Sequence, residues 1–402
     1  MFPTTPVISP APRSIPLKLR LVSTQDGWES LKSGWEELLK DSQADALFLS
    51  WDWLDAWLGV YGSGGRWTIL VAEDETGRLL GIAAMMIDQG TKIPGKWIRN
   101  LLLIGQKADT ASEYLDWILR RGFEEAVATA FCQHLLEDLS ERWDLLQFEA
   151  MREDSITVPW IQKAFAARGI QPRTHRITQA PYVSLPGTWE DFLARRSSTY
   201  RQRWKKLHRE HAIVIRRVGQ DFTVAEGMAT LRSLNSARWG DQRQSFISPN
   251  YVRFHDDIAT RFHQKDQLLL IFLEVDGQII AGRYDFAYGG KGWCFQGGWL
   301  PEHEKLRPGR TMMAHLLHTC IQRGLSEYDF LGGEASYKGE WSNGERGIMN
   351  LYARNPASLR GNLFEKAKAL KAYLAPKKKA GHAAADSPPE NDTAPSSPSH
   401  SD

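Results

Sequence analysis

At 402 residues the chain exceeds what one ordinary hydrophobic core supports and fits two domains of average size. Hydrophobic residues make up 42% and charged residues 24%, a folded composition, and a net charge of +2 from 50 basic against 48 acidic residues excludes a global field of the kind that marks nucleic-acid or membrane-surface proteins. Three widely spaced cysteines, Cys132, Cys294 and Cys320, argue against a disulfide framework and for a reducing compartment, and no apolar run approaches the roughly 18 residues of a membrane span.

Residues 1–16 carry five prolines and lack the apolar core of a signal peptide, so they are expected to be disordered and the protein cytoplasmic. Leu17–Ser23 then reads as a strand, and Trp28–Leu39 and Trp51–Val60 as amphipathic helices. Trp67–Ala72 and Leu79–Ile87 read as strands joined by a turn at Asp74–Gly77. A further strand ends at Leu101–Gly105, followed by a helix over Phe123–Leu139 and a strand over Leu145–Glu149. Arg195–Arg217 holds nine basic side chains, with Leu193, Tyr200, Trp204 and Leu207 at helical spacing: an amphipathic helix with a basic outer face. Such a face is usually just solvated, and the alternative is an anionic acceptor or tRNA, with Arg201 and Lys205 as the test positions.

The second half repeats the first. Leu268–Glu274 and Ile279–Ala287 flank a turn at Asp276–Gly277, followed by Gly292–Gly297, a helix over Thr311–Arg323 and a strand over Tyr328–Leu331. Gly77, Leu79, Leu80 and Gly81 correspond to Gly277, Ile279, Ile280 and Ala281 at an offset of 200, and Asp144–Leu145–Leu146 and Asp329–Phe330–Leu331 each follow a helix and are expected to open a buried strand. The expected class is α/β in two domains, 17–178 and 179–375, with a disordered tail over 376–402. The sixteen tryptophans suit clefts as well as cores, and packing is the commoner fate.

One stretch is recognisable. Arg307–Pro308–Gly309–Arg310 opens a helix, Tyr328–Asp329–Phe330–Leu331–Gly332–Gly333–Glu334 follows it, and Tyr337–Lys338 and Trp341 complete the run. With Phe48–Trp57 and Glu113–Tyr114–Leu115–Asp116 upstream, this resembles the GNAT acetyltransferase superfamily, in its tandem-domain CelD-like or FemAB-like branch. The resemblance covers about residues 17–356. It implies two tandem GNAT-like acyl-CoA N-acyltransferase domains, α/β with a mixed, splayed sheet in each half, one of which has usually lost the donor site. The family's phosphate-binding motif, R/Q-x-x-G-x-G/A, is partly present: Gly309 matches, while Leu306 stands at the leading position and Thr311 at the closing one.

Acyl transfer to an amine or hydroxyl needs a base, donors for the oxyanion and an acid for the thiolate. The catalytic candidates are Lys338, Asp116, Glu334 and Tyr337, with Lys338 given a charge-stabilising role by the resemblance. Lys305, Arg307, Gly309, Arg310 and Thr311 are the candidates for the donor phosphates, because Pro and Gly entering a helix leave backbone N–H groups facing an anion. Tyr114, Arg201, Lys205 and Trp341 are the acceptor candidates. The plain alternatives are a solvated turn, a capping acid and surface residues. The histidine pairs His208/His211 and His315/His318 have no completing ligands, so no metal is expected. The expected function is acyl transfer from acetyl-CoA or another acyl-CoA to a small metabolite or glycan precursor. The alternatives are a Fem-type aminoacyl-tRNA-dependent ligase and a non-catalytic accessory of exopolysaccharide or cellulose synthesis.

Overall fold

The computed structural model describes residues 16–44, 47–88, 98–106, 110, 112–240, 246, 248–333 and 336–374. By internal packing the chain divides into a large unit, 1–362, and a small one, 363–402.

The first half begins with β1 (Lys18–Val22), α1 (Gln25–Glu29), α2 (Lys32–Lys40) and α3 (Trp51–Tyr61). The single helix expected over Trp28–Leu39 is thus two. Thr24 caps α1 and Ser30 Oγ donates back to Gly27 O at 2.7 Å, closing the first helix after little more than a turn. Ser50 caps α3, whose Trp51, Trp53 and Trp57 are all buried. Then come β2 (Arg66–Glu73), β3 (Leu79–Asp88), β4 (Asn100–Leu103), the short β5 (Ile118–Leu119), α4 (Glu124–Leu136), β6 (Leu145–Arg152), α5 (Thr157–Ala166) and β7 (Arg173–Ser184).

The second half runs α6 (Trp189–Ala194), α7 (Ser198–Glu210), β8 (Ile213–Arg217), α8 (Val224–Trp239), α9 (Pro249–Gln264), β9 (Leu268–Val275), β10 (Gln278–Tyr288) and β11 (Lys291–Trp299). It ends with α10 (Pro308–Gln322), β12 (Glu327–Asp329), α11 (Ser336–Trp341), β13 (Gly344–Arg354) and α12 (Leu359–Leu374). Thr223 and Glu226 form a full capping box at α8, and Ser248–Pro249 starts α9.

The described strands form one sheet in the order β1-β2-β3-β4-β6-β13-β7-β12-β11-β10-β9-β8, with β5 set against β3. The order is symmetric about its middle. Outward from β13 and β7 lie β6 and β12, then β4 and β11, then the hairpins β2–β3 and β9–β10. Among the described strands, the parallel pairing falls at the same place in both halves, β4 with β6 and β11 with β12. The centre is crossed over: β7, which ends the first half, pairs with β12, while β13, near the end of the second, pairs with β6. The two central strands also pair with each other. The hairpin turns repeat too, with Gly77 at φ 85° and Gly277 at φ 87°, a conformation that favours glycine.

One expected correspondence fails. Asp144 precedes β6, but Asp329 is the last residue of β12 rather than the opening of a strand. Its carboxylate accepts from Leu331 N at 2.8 Å, and Leu331 takes a left-handed φ of 57°, so the chain turns out of the sheet there.

One apolar cluster runs beneath both halves, from Trp28, Trp35 and Trp53 to Phe254, Phe262 and Phe286. A second lies around α10 and includes Leu316, Tyr328 and Trp341. Most tryptophan bulk therefore serves packing: Trp28, Trp35, Trp53, Trp117 and Trp143 are all among the largest fully buried side chains.

Candidate functional site

The parallel pair β11–β12 sets the geometry of the second half. Register runs only from Lys291↔Glu327 to Trp293↔Asp329, after which β11 continues alone against β10 to Trp299. The β10–β11 pairing jumps from Phe286↔Trp293 to Tyr284↔Gln296, so Cys294 and Phe295 bulge opposite Asp285 where the two parallel strands part. Beyond β11 a 3-10 turn, Pro301–Leu306, leads to Arg307 in the left-handed region at φ 51°, and Pro308 then begins α10.

This entrance opens on a cleft of about 420 Å³. One wall carries Lys305, Arg307, Arg310 and Thr311, and the opposite wall is α7, with Tyr200, Arg203, Trp204 and Lys206. The first turn of α10 contains no carboxylate, and Pro308 has no N–H, leaving Gly309 and Arg310 to present theirs at the positive end of the helix. Thr311 is turned inward, its hydroxyl donating to Leu306 O at 3.0 Å. Gly309 lies under Trp299, whose indole is 3.6 Å from where a Cβ would stand. Arg310 ion-pairs with Glu340 across the cleft mouth. Trp341 also lines the cleft, and its indole N–H, like the Tyr200 hydroxyl, is buried without a partner among the described residues.

The basic helix contributes other residues than those singled out in sequence. Arg203 and Lys206 line the cleft, whereas Arg201 donates to Ala194 O and Arg196 O, and Lys205 faces a neighbouring groove with Thr199, Gln202 and Arg209. The signal was present in the spacing: Arg203 and Lys206 flank the Tyr200–Trp204–Leu207 stripe, which is the face turned to the protein.

At the strand bulge lies a buried polar cluster. Arg283 Nη2 donates to Asp285 Oδ1 at 2.6 Å and to Cys294 Sγ at 2.9 Å, and Asp285 accepts from Tyr328 OH at 2.9 Å and Phe295 N at 2.7 Å. Burial raises the Asp285 pKa, against the opposing pull of Arg283. Tyr337, on α11, lies within electrostatic reach of Cys294, Arg283, Asp285 and Arg238, and its hydroxyl pKa is raised, first by the thiol and then by burial. Of this cluster only Tyr337 is a catalytic candidate from the sequence, because charged residues inside a strand carry no periodic signature.

Glu113 and Tyr114 come from the loop after β4 and meet the end of β12. Glu113 Oε2 accepts from Gly332 N at 2.8 Å, and burial pushes its carboxyl up to about 7. The Tyr114 hydroxyl donates to the Asp329 carboxylate, which also receives Arg346 at 2.9 Å and is raised by burial to about 6. Lys338 is 8% exposed, and its ammonium donates to Leu331 O at 3.1 Å and Gly332 O at 2.6 Å. Asp116 faces elsewhere, into a cleft of about 330 Å³ with Trp117, Arg121, Arg152 and Ser155, where burial raises it to about 6. Glu334 lies outside the described residues.

Residues 194–339 match the family model described as "Acetyltransferase (GNAT) domain". No curated protein matches the chain. Among solved structures, FemX superposes with a TM-score of 0.57 at 11% identity, covering 79% of this chain and 95% of that one. L-PGS from Bacillus licheniformis gives 0.45 at 12%, covering 78% and 95%, and a tandem GNAT protein from the clavulanic acid pathway gives 0.43 at 11%, covering 85% and 100%. At such identity the FemX likeness speaks for the fold. Residues 194–339 thus match a GNAT domain, and the chain shares its mixed α/β fold with FemX.

Proposed function

We propose that this protein is an acyltransferase that takes acyl-CoA, acetyl-CoA in the first instance, into the α10 cleft and passes the acyl group to an amine or hydroxyl of a small metabolite or glycan precursor. The observation that carries the reading is the α10 entrance: free N–H groups at a helix start, no acid in the first turn, and Lys305, Arg307, Arg310, Arg203 and Lys206 around one cleft. These residues fit a pyrophosphate. Among the described residues, the α4 start in the first half is no equivalent: it opens with Glu124 and Glu125, two carboxylates where a phosphate would lie. This supports placing the donor in the second of two GNAT-like halves, 17–178 and 179–375.

Acyl-CoA supplies an activated thioester carbonyl, and the remaining work falls to the chain. Tyr337, beside the opening between β11 and β12, is the proposed acid for the leaving thiolate, and Lys338 the proposed charge near the developing oxyanion. Glu113, Tyr114 and Asp329 are positioning residues that hold the turn after β12. Trp341 forms the cleft wall; Asp116, in its separate cleft, is not assigned a step.

A second reading, a Fem-type aminoacyl-tRNA-dependent ligase, is favoured by the FemX fold and by the groove of Arg203, Lys205, Lys206 and Arg209 beside the cleft. Titration calorimetry with CoA, acetyl-CoA and charged tRNA separates the two. Saturable CoA binding that is lost in Arg307→Ala/Arg310→Ala supports acyl-CoA. Binding of charged tRNA alone supports the ligase.

A further inference from the structure

The first half has a strand parting of its own. β4 pairs with β6 at Asn100↔Leu145 and Leu101↔Leu146, β5 is set against β3, and β6 runs on against β13 as far as Arg152. Between β5 and the end of β6 lies the cleft of about 330 Å³ that holds Asp116 and Trp117. Its charged groups are of two kinds. Arg152 and Asp154 satisfy each other through bonds of 2.8 and 2.6 Å. Asp116 and Arg121 have no such partner. The Asp116 carboxylate accepts from Trp117 N at 2.7 Å and has the Ser155 hydroxyl beside it, but no basic side chain within ion-pairing distance among the described residues. Burial accordingly pushes it up to about 6. The Arg121 guanidinium donates to Ser42 O at 2.7 Å and has no carboxylate in that range among the described residues. A second observation belongs to the same cleft. Trp117 lines it and is 1% exposed, its indole set edge-on to Phe131 and Phe148, and its N–H has no partner among the described residues. A buried indole N–H ordinarily has one.

An unpaired carboxylate, an unpaired guanidinium and a spare N–H in one cleft are the complement of a zwitterion. We propose that this first-half cleft is a second binding site, separate from the α10 cleft, for a free α-amino acid. The ammonium of the amino acid bonds the Asp116 carboxylate, and its carboxylate accepts from the Arg121 guanidinium and the Trp117 indole. Neither charge alone answers all three groups. A simple amine leaves Arg121 and the indole without an acceptor, and a simple carboxylate brings a like charge toward Asp116. A hexose offers hydroxyls but no charge for either side chain. The Arg152–Asp154 pair, closed on itself, adds no net charge to the lining, which suits a ligand that carries none overall. The site stands whether or not the α10 cleft takes acyl-CoA.

The test is a thermal-shift screen of the full chain against the twenty standard amino acids, followed by titration calorimetry of those that raise the melting temperature. Each is compared with its decarboxylated amine, its deaminated acid and, as a neutral control, glucose. The expected result is saturable binding of at least one amino acid, with its amine and acid analogues weaker by about tenfold or more. Trp117→Phe, which keeps the ring and removes only the N–H, and Arg121→Gln, on the surface, should each weaken that amino acid by about tenfold. Stabilisation by none of the twenty overturns the proposal. Binding of glucose alone, or of an amine or acid analogue as tightly as the amino acid, overturns the zwitterion. Amino-acid affinity unchanged in both variants places the binding elsewhere and overturns the site.

Discussion

The Tyr114 hydroxyl donates to Asp329 Oδ2 at 3.1 Å although 215 positions separate the two residues, so one buried bond ties the loop after β4 to the end of β12. Arg346 completes the group, reaching Asp329 at 2.9 Å and Glu327 at 2.6 Å. Removing the hydroxyl in Tyr114→Phe should cost about 1–2 kcal/mol, and Asp329→Asn more, because it strips a charged partner from Arg346. The double variant should lose less than the sum, a coupling of about 1 kcal/mol. Urea unfolding of the four proteins measures this, and strict additivity would mean that the two groups do not interact.

The Glu113 carboxyl gives the fold a definite pH dependence. Its folded value is near 7 against an ordinary 4.5, because it is buried, so the folded chain holds a proton that the unfolded chain has released. Stability from this group is therefore full below about pH 4.5 and is lost as pH rises toward 7. Asp329 and Asp116, both near 6 against 3.8, act in the same direction. Glu113→Gln, which keeps an acceptor for Gly332 N, should match wild type at pH 5 and melt higher at pH 8. Equal melting temperatures at both values would show that Glu113 titrates as an ordinary exposed carboxylate.

The hairpins, their Gly77 and Gly277 turns, α3 and α10 were legible in the sequence because period and turn chemistry are local. The exchange of β7 and β13 was not. Those strands are chosen by partners far away in sequence, such as Tyr352↔Arg173 and Asp329↔Tyr182, and β7 exposes most of its residues, so its apolar pattern is faint. The cleft position of Arg307 and Arg310 was legible because a Pro–Gly helix start announces itself. Arg283 and Asp285 were not legible, because their meaning lies in being buried together, which no spacing encodes.

Close packing of α8 on β11 depends on Gly298. A methyl there would fall within 2.6 Å of Leu234 O, against helix backbone that cannot rotate aside. Gly298→Ala should destabilise by about 1–3 kcal/mol through overpacking. Asn235, whose side chain donates to Gly297 O at 3.1 Å, should lose its hydrogen-exchange protection first. A thermal melt unchanged from wild type would mean that α8 and β11 sit farther apart.

Charge on the two flanks of α7 should separate by function. Reversing Arg203 and Lys206 to Glu puts carboxylates on the cleft wall and should weaken CoA binding by about tenfold or more at low salt, with the deficit shrinking as salt screens it. Reversing Arg201 and Lys205, which lie off the wall, should change CoA affinity much less. Equal effects from the two pairs would mean that α7 acts only as a diffuse positive surface.

Lys338 offers the sharpest test of the catalytic assignment, because its structural and chemical roles predict different numbers. Two of its three N–H donors bond the Leu331 and Gly332 carbonyls, which fixes the ammonium beside a turn that Glu113 holds from the other side. Lys338→Met keeps the length and strips both carbonyls of a charged donor, so stability should fall by about 1–3 kcal/mol whatever the chemistry. If the charge also stabilises a developing oxyanion, turnover should fall by about 10²–10³ at a temperature where the variant is fully folded, with CoA affinity nearly unchanged. Turnover is followed with the amine that wild type acylates fastest in a screen of amino sugars, polyamines and amino acids, and folding is checked by near-ultraviolet circular dichroism at the assay temperature. A folded variant that loses stability yet turns over within a few-fold of wild type would confine Lys338 to holding the turn and leave Tyr337 as the proposed group at the reacting carbon.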